Sequence, residues 1–112
     1  MIKLSLVKRQ GLIYYLQAVG HADNLVVCTA VSLLLRSSLA VFDKLSNKDS
    51  MLVRASAEHE GLLRWQIISL ADREISSIQG LCDLLLTALR QLQIEYPQQL
   101  EIEESYGEAV ES

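Results

Sequence analysis

The sequence predicts an α+β domain. It is read as a two-layer sandwich, a mainly antiparallel sheet with two helices on one face, in the order β-β-α-β-β-α-β. Three observations lead there. Two stretches, 24–45 and the one that opens at Asp72 and stops at Tyr96-Pro97, carry apolar residues three and four apart. Short runs of alternating or β-branched residues flank them, in pairs at 2–8 with 11–19 and at 51–57 with 61–70, and singly at 98–104. One Pro and five Gly in 112 residues favour long regular elements over loops.

In order along the chain, Arg9-Gln10-Gly11 turns the first two runs into a hairpin. The first helix spans 24–45, with Val27, Val31, Leu34, Leu35, Val41, Phe42 and Leu45 at helical spacing. Asp23 or Asn24 stands where a side chain accepts a bond from a free first-turn amide. Asn47-Lys48-Asp49-Ser50 is a turn cluster, and Glu58-His59-Glu60-Gly61 turns the second hairpin. Asp72 is placed to cap the second helix, whose stripe runs Ile75, Ile78, Cys82, Leu85, Leu89, Leu92. Tyr96-Pro97 ends it, because a residue before proline avoids the helical region. Leu100 and Ile102 then alternate with Glu101 and Glu103, as an edge strand does. One domain is expected over 1–104, with 105–112 an acidic, frayed tail.

Bulk properties narrow the classes of function. Half the residues are apolar and 21% are charged, so the chain can bury a core. The net charge is -4 and the pI about 5.1. Binding phosphates requires a basic surface, and no Lys/Arg cluster supplies one, so nucleic acid is not an expected partner. The start, Met1-Ile2-Lys3-Leu4-Ser5-Leu6, lacks the apolar core of an export signal. The uncharged apolar stretches are too short for the 18–20 or so residues that cross a bilayer. Two cysteines make no disulfide framework. A cytoplasmic protein with free thiols is expected.

The chemistry is concentrated in Gly20-His21-Ala22 and Val26-Val27-Cys28-Thr29-Ala30-Val31-Ser32. A base ends a strand and a thiol opens a helix. A thiol in a first helical turn feels the positive end of the backbone dipole, which favours thiolate, and a neighbouring imidazole can take its proton. The six residues between His21 and Cys28 span at most about 20 Å, so the pair can meet. The bland reading is a small apolar residue in a core helix. Backbone N–H groups around Cys28 and Thr29 stand where an oxyanion would be met. Ser32 either bonds near the site or back to a helix carbonyl. Asp23 and Asn24 are read first as helix caps and second as orienters of His21.

This pattern, from Gly-His-Ala through the apolar pair and Cys to Ala, Val and Ser, resembles the ribosomal-processing cysteine protease (Prp) family. The opening Met1-Ile2-Lys3 strand and the Tyr96-Pro97 step before Leu100-Glu101-Ile102 support it. The resemblance implies a small bacterial cytoplasmic homodimer. It also implies a reaction, removal of the N-terminal extension of a large-subunit ribosomal protein by a Cys/His pair. Carried over by position, Cys28 is the nucleophile and His21 the base, and Ser32 matches a Ser one helical turn on. The segment Ala22 to Val27 is shorter than the glycine-containing one of the family, so a non-catalytic peptide- or ribosome-binding dimer of the same fold is the second reading. A structural or interaction dimer is the third.

The other residues give weaker signals. His59 between two glutamates could be one ligand of an adventitious ion, but no Cys-x-x-Cys or His-x-x-x-His spacing occurs, so neither metal nor cofactor is expected. Cys82 lies on the apolar stripe and Gly80 stands alone, without a phosphate loop. Trp65, Tyr14 and Tyr15 are read as sheet packing. Both faces of several strands carry apolar residues, such as Leu62, Leu63, Ile67 and Ile68, and two helices cover only one face. The other face is therefore expected to seek a second copy.

Overall fold

The computed structural model describes residues 1–46, 51–59 and 62–107. Strands β1 (Ile2–Arg9) and β2 (Leu12–Gly20) precede helix α1 (Leu25–Ser46). Strands β3 (Met51–His59) and β4 (Leu62–Leu70) precede helix α2 (Ile75–Glu95), and β5 (Leu100–Tyr106) closes the fold. The sheet has five strands in the order β3-β4-β2-β1-β5. All neighbours are antiparallel except β1 and β5, which run parallel with Ile2 opposite Leu100. The α+β reading holds, with both helices on one side.

Alternation builds that side. Ile2, Leu4 and Leu6 of β1 are buried while Lys3 and Ser5 are exposed. Across the register, Leu16, Ala18, Trp65, Ile67 and Leu100 join them in one layer. Helix α1 adds Val27, Val31, Leu35 and Phe42, and α2 adds Ile78, Cys82, Leu85, Leu89 and Leu92. Phe42 meets Trp65 edge-on at 4.8 Å, which pins α1 to β4. Arg90 of α2 pairs with Glu104 of β5, so the last strand is tied to the helix layer as well as to β1.

Five expectations need correction. Asp72 does not cap α2: it lies in a 3-10 turn, Asp72–Glu74, and α2 begins behind Glu74 without a side-chain cap. Ile75 is 38% exposed, because the stripe begins to face the sheet only at Ile78. Strand β5 continues past residue 104 to Tyr106. The span Leu25–Leu45 has a mean hydropathy of 2.1 and is long and apolar enough to cross a membrane. Counting uncharged runs missed it because the break at Arg36 is a single charge. In this fold the span lies against the sheet through Val27, Val31, Leu35 and Phe42. Finally, among the described residues the uncovered face of the sheet is mostly polar. Lys3 pairs with Glu101 there, Tyr15 donates to Gln17, and Val19 and Ile68 are its exposed large apolar side chains among the described residues. Leu63 and Ile67 face the helices, and the side chain of Leu62 lies outside the described residues. The turn expected at Asn47-Lys48-Asp49-Ser50 and residues 108–112 of the expected tail also lie outside them.

Candidate active site

β2 ends at Gly20, where φ is +98°, a conformation open to glycine at little cost. A Cβ there would meet the Met1 carbonyl oxygen at 2.5 Å, so the chain can pass the start of β1 only without a side chain. The next residue, His21, is exposed, and its carbonyl accepts the Met1 ammonium at 2.6 Å. Its imidazole makes no hydrogen bond among the described residues.

Ala22 turns the chain back over the thiol. Its N–H donates to Cys28 Sγ at 3.2 Å, and the thiol donates to the Ala22 carbonyl, also at 3.2 Å. The helix geometry explains the reach, since Cα–Cβ bonds tilt toward the helix N-terminus. From its place in the first turn of α1, the Cys28 side chain points back into the loop. Cys28 is half-buried and packs on the core through its apolar side. The structure thus joins the thiol to the residue beside His21, through the backbone rather than the ring.

Asn24 is the cap of α1. Its Oδ1 accepts the Val26 N–H at 2.8 Å, and its carbonyl accepts the Cys28 N–H at 3.3 Å as the first helical bond. The Cys28 amide is therefore spent within the helix and is not free for an oxyanion. Thr29 is exposed and follows it in the helix, and Ser32 is half-buried one turn on. Asp23 is exposed, and its N–H, like that of Asn24, donates to Gln99 Oε1, at 2.8 and 3.3 Å.

Gln99 and the Met1 ammonium are the contributors that reading the sequence missed. Neither stands near the His-Cys motif along the chain, and only the parallel pairing of β5 with β1 brings Gln99 to it. Cys82 is buried, and burial pushes its thiol above the ordinary range, only partly offset by a hydrogen bond with the Ile13 backbone. No cluster of three metal-ligating side chains occurs among the described residues. The His59 side chain lies outside the described residues.

Residues 1–110 match the family model described as cysteine protease Prp. No curated protein is a significant sequence match to the chain. Among solved structures, the Streptococcus mutans protein SMU.848 is 21% identical with a TM-score of 0.72, each chain covered over 96%. The essential ribosomal processing protease Prp of Staphylococcus aureus, with a covalently linked product peptide, is 18% identical with a TM-score of 0.73. That match covers 94% of this chain and 100% of the other. The same protease with a substrate peptide matches over the same shares at 16% identity and a TM-score of 0.72. At these identities the likeness is one of fold.

Proposed function

The chain belongs to the cysteine protease Prp family, and we propose that it is a thiol endopeptidase with Cys28 as nucleophile and His21 as base. The observation that carries this reading is the seat of the Cys28 thiol on the Ala22 peptide, 3.2 Å from its N and O, immediately beside His21. His21 withdraws the thiol proton and the sulfur attacks a peptide carbonyl. His21 then protonates the departing amine, and water releases the acyl group from sulfur. The oxyanion falls to amides of the first turn of α1 other than that of Cys28. That of Leu25, an exposed residue, carries no hydrogen bond among the described residues. A donor of this kind is worth about 10²–10³ in rate in other enzymes.

The substrate proposed is the N-terminal extension of a large-subunit ribosomal protein, and the setting a bacterial cytoplasm, with the chain as a homodimer. The support is the family, together with the peptide complexes of the S. aureus relative. The acidic pI and the polar open face of the sheet fit a soluble protein that handles basic partners.

The test is the pH dependence of Cys28 alkylation by iodoacetamide, with Cys28→Ser and His21→Ala as controls. An ordinary thiol titrates near 8.5 or so. Fast labelling at pH 6–7 that His21→Ala slows supports the pair. An ordinary profile, unaffected by His21→Ala, overturns it. One observation favours the second reading, a peptide-binding module without cleavage: among the described residues the His21 imidazole has no hydrogen-bond partner, and the thiol donates to the Ala22 carbonyl instead. A general base must come within about 2.6–3.2 Å of the proton it takes, although such contacts often tighten only when substrate binds.

A further inference from the structure

We propose that Gln99 is a positioning residue for the Cys28 and His21 site, an inference that rests on the peptidase reading. Its Oε1 accepts two consecutive loop amides, Asp23 N–H at 2.8 Å and Asn24 N–H at 3.3 Å. With the Ala22 N–H on Cys28 Sγ, three successive amides between His21 and α1 are fixed by side chains.

Gln99 is itself held. Its N–H donates to the Tyr96 carbonyl at 3.0 Å, closing the turn after α2, and its carbonyl accepts the Ile2 N–H at 2.9 Å. The side chain therefore reaches the loop from a backbone anchored to both α2 and β1. Helix α1 does not need it for capping, because Asn24 Oδ1 already meets the Val26 amide. What Gln99 adds falls on the loop.

The chemistry also explains an amide at this place. A carboxylate would hold two N–H groups more tightly, since charged acceptors make the stronger bonds. It would also set a negative charge near a thiol that must ionise, and so oppose thiolate. A neutral oxygen fixes the loop without that opposition.

Three proteins test the proposal: wild type, Gln99→Met and Gln99→Glu. Two measurements are made on each, amide hydrogen exchange at Asp23 and Asn24 and the pH profile of Cys28 alkylation by iodoacetamide. Gln99→Met keeps length and loses the acceptor. It is expected to exchange both amides at least tenfold faster, to label about tenfold more slowly at pH 7, and to move the profile toward that of an ordinary thiol. Gln99→Glu is expected to keep the amides protected and to move the alkylation midpoint upward. A wild-type profile already ordinary, with protection lost in Gln99→Met, overturns the peptidase reading while the clamp stands. An activated wild-type thiol with an unchanged profile in Gln99→Met overturns the positioning role. If Gln99→Met fails to fold, loss of protection in Gln99→Glu overturns the clamp, since its acceptor is retained.

Discussion

Cys28 and Ala22 form a reciprocal pair: the Ala22 N–H donates to the sulfur and the thiol donates to the Ala22 carbonyl, each at 3.2 Å. The two halves respond oppositely to ionisation. A thiolate keeps the N–H and gains strength from it, but it loses the carbonyl bond and meets a lone pair instead. Removing the N–H should therefore hinder ionisation. Ala22→Pro is expected to slow alkylation of Cys28 at pH 7 by about tenfold or more. A hydrogen bond to a charged group is worth about 1.5–3 kcal/mol, and about 1.4 kcal/mol is tenfold. Stopped alkylation assays check this, with circular dichroism to verify folding. An unchanged rate would show that the Ala22 amide does not support thiolate.

Asn24 caps α1 through Oδ1, so Asn24→Ala should lower stability by about 1 kcal/mol. Asn24→Asp should retain stability, because the acceptor remains and a negative charge suits a helix start. Urea titrations of the three proteins check both. Equal midpoints for wild type and Asn24→Ala would show that the cap bond contributes nothing.

Gly20→Ala should cost about 1–3 kcal/mol from its φ of +98° alone. The contact with the Met1 carbonyl oxygen adds to this, since backbone cannot swing aside as a long side chain can. Thermal unfolding should show the loss, and Cys28 labelling should fall with it, because Gly20 sets the path into His21. A variant as stable as wild type would mean that the β1 start shifts freely.

Cys82 should resist iodoacetamide in the native state and react on unfolding, since it is 2% exposed and its thiol is pushed up by burial. The same shift has a pH consequence. The native thiol keeps its proton where the unfolded one, titrating near about 8.5, has lost it. The stability it contributes is complete below that pH and declines as pH rises from there toward the native value. Stability curves from pH 7 to 10 should fall more steeply for wild type than for Cys82→Ala. Parallel curves would sink the assignment.

Patterns local to one segment were legible in the sequence. The stripe of α2 from Ile78 to Leu92 and the alternation of Leu100 and Ile102 with Glu101 and Glu103 each report a face, and burial confirms them. The His21 and Cys28 junction could also be located, because a strand end, a short loop and a helix start are contiguous. Three features could not be. Asp72 has the chemistry of a cap, but the chain spends it in a 3-10 turn before α2 begins. Ser38 is buried within α1 because its hydroxyl donates to the Leu35 carbonyl at 2.7 Å, which removes the cost that its polarity suggests. Gln99 reaches the loop only through the pairing of distant strands, for which no local spacing is a signal.

The parallel register of β1 with β5 gives the chain an order of assembly. During synthesis β1 first has only β2 as a neighbour, and its other edge stays open until the residues from Leu100 onward exist. Gln99, which secures the loop, emerges with them. A nascent chain lacking this stretch can form the first hairpin and α1, yet it has nothing to hold Asp23 and Asn24. Contacts between such distant parts of a chain form late, since their loop-closure entropy must be met first. The Asp23 and Asn24 amides thus gain their acceptor only once the last strand and the turn before it are in place, so the loop is the final part of the fold to be secured.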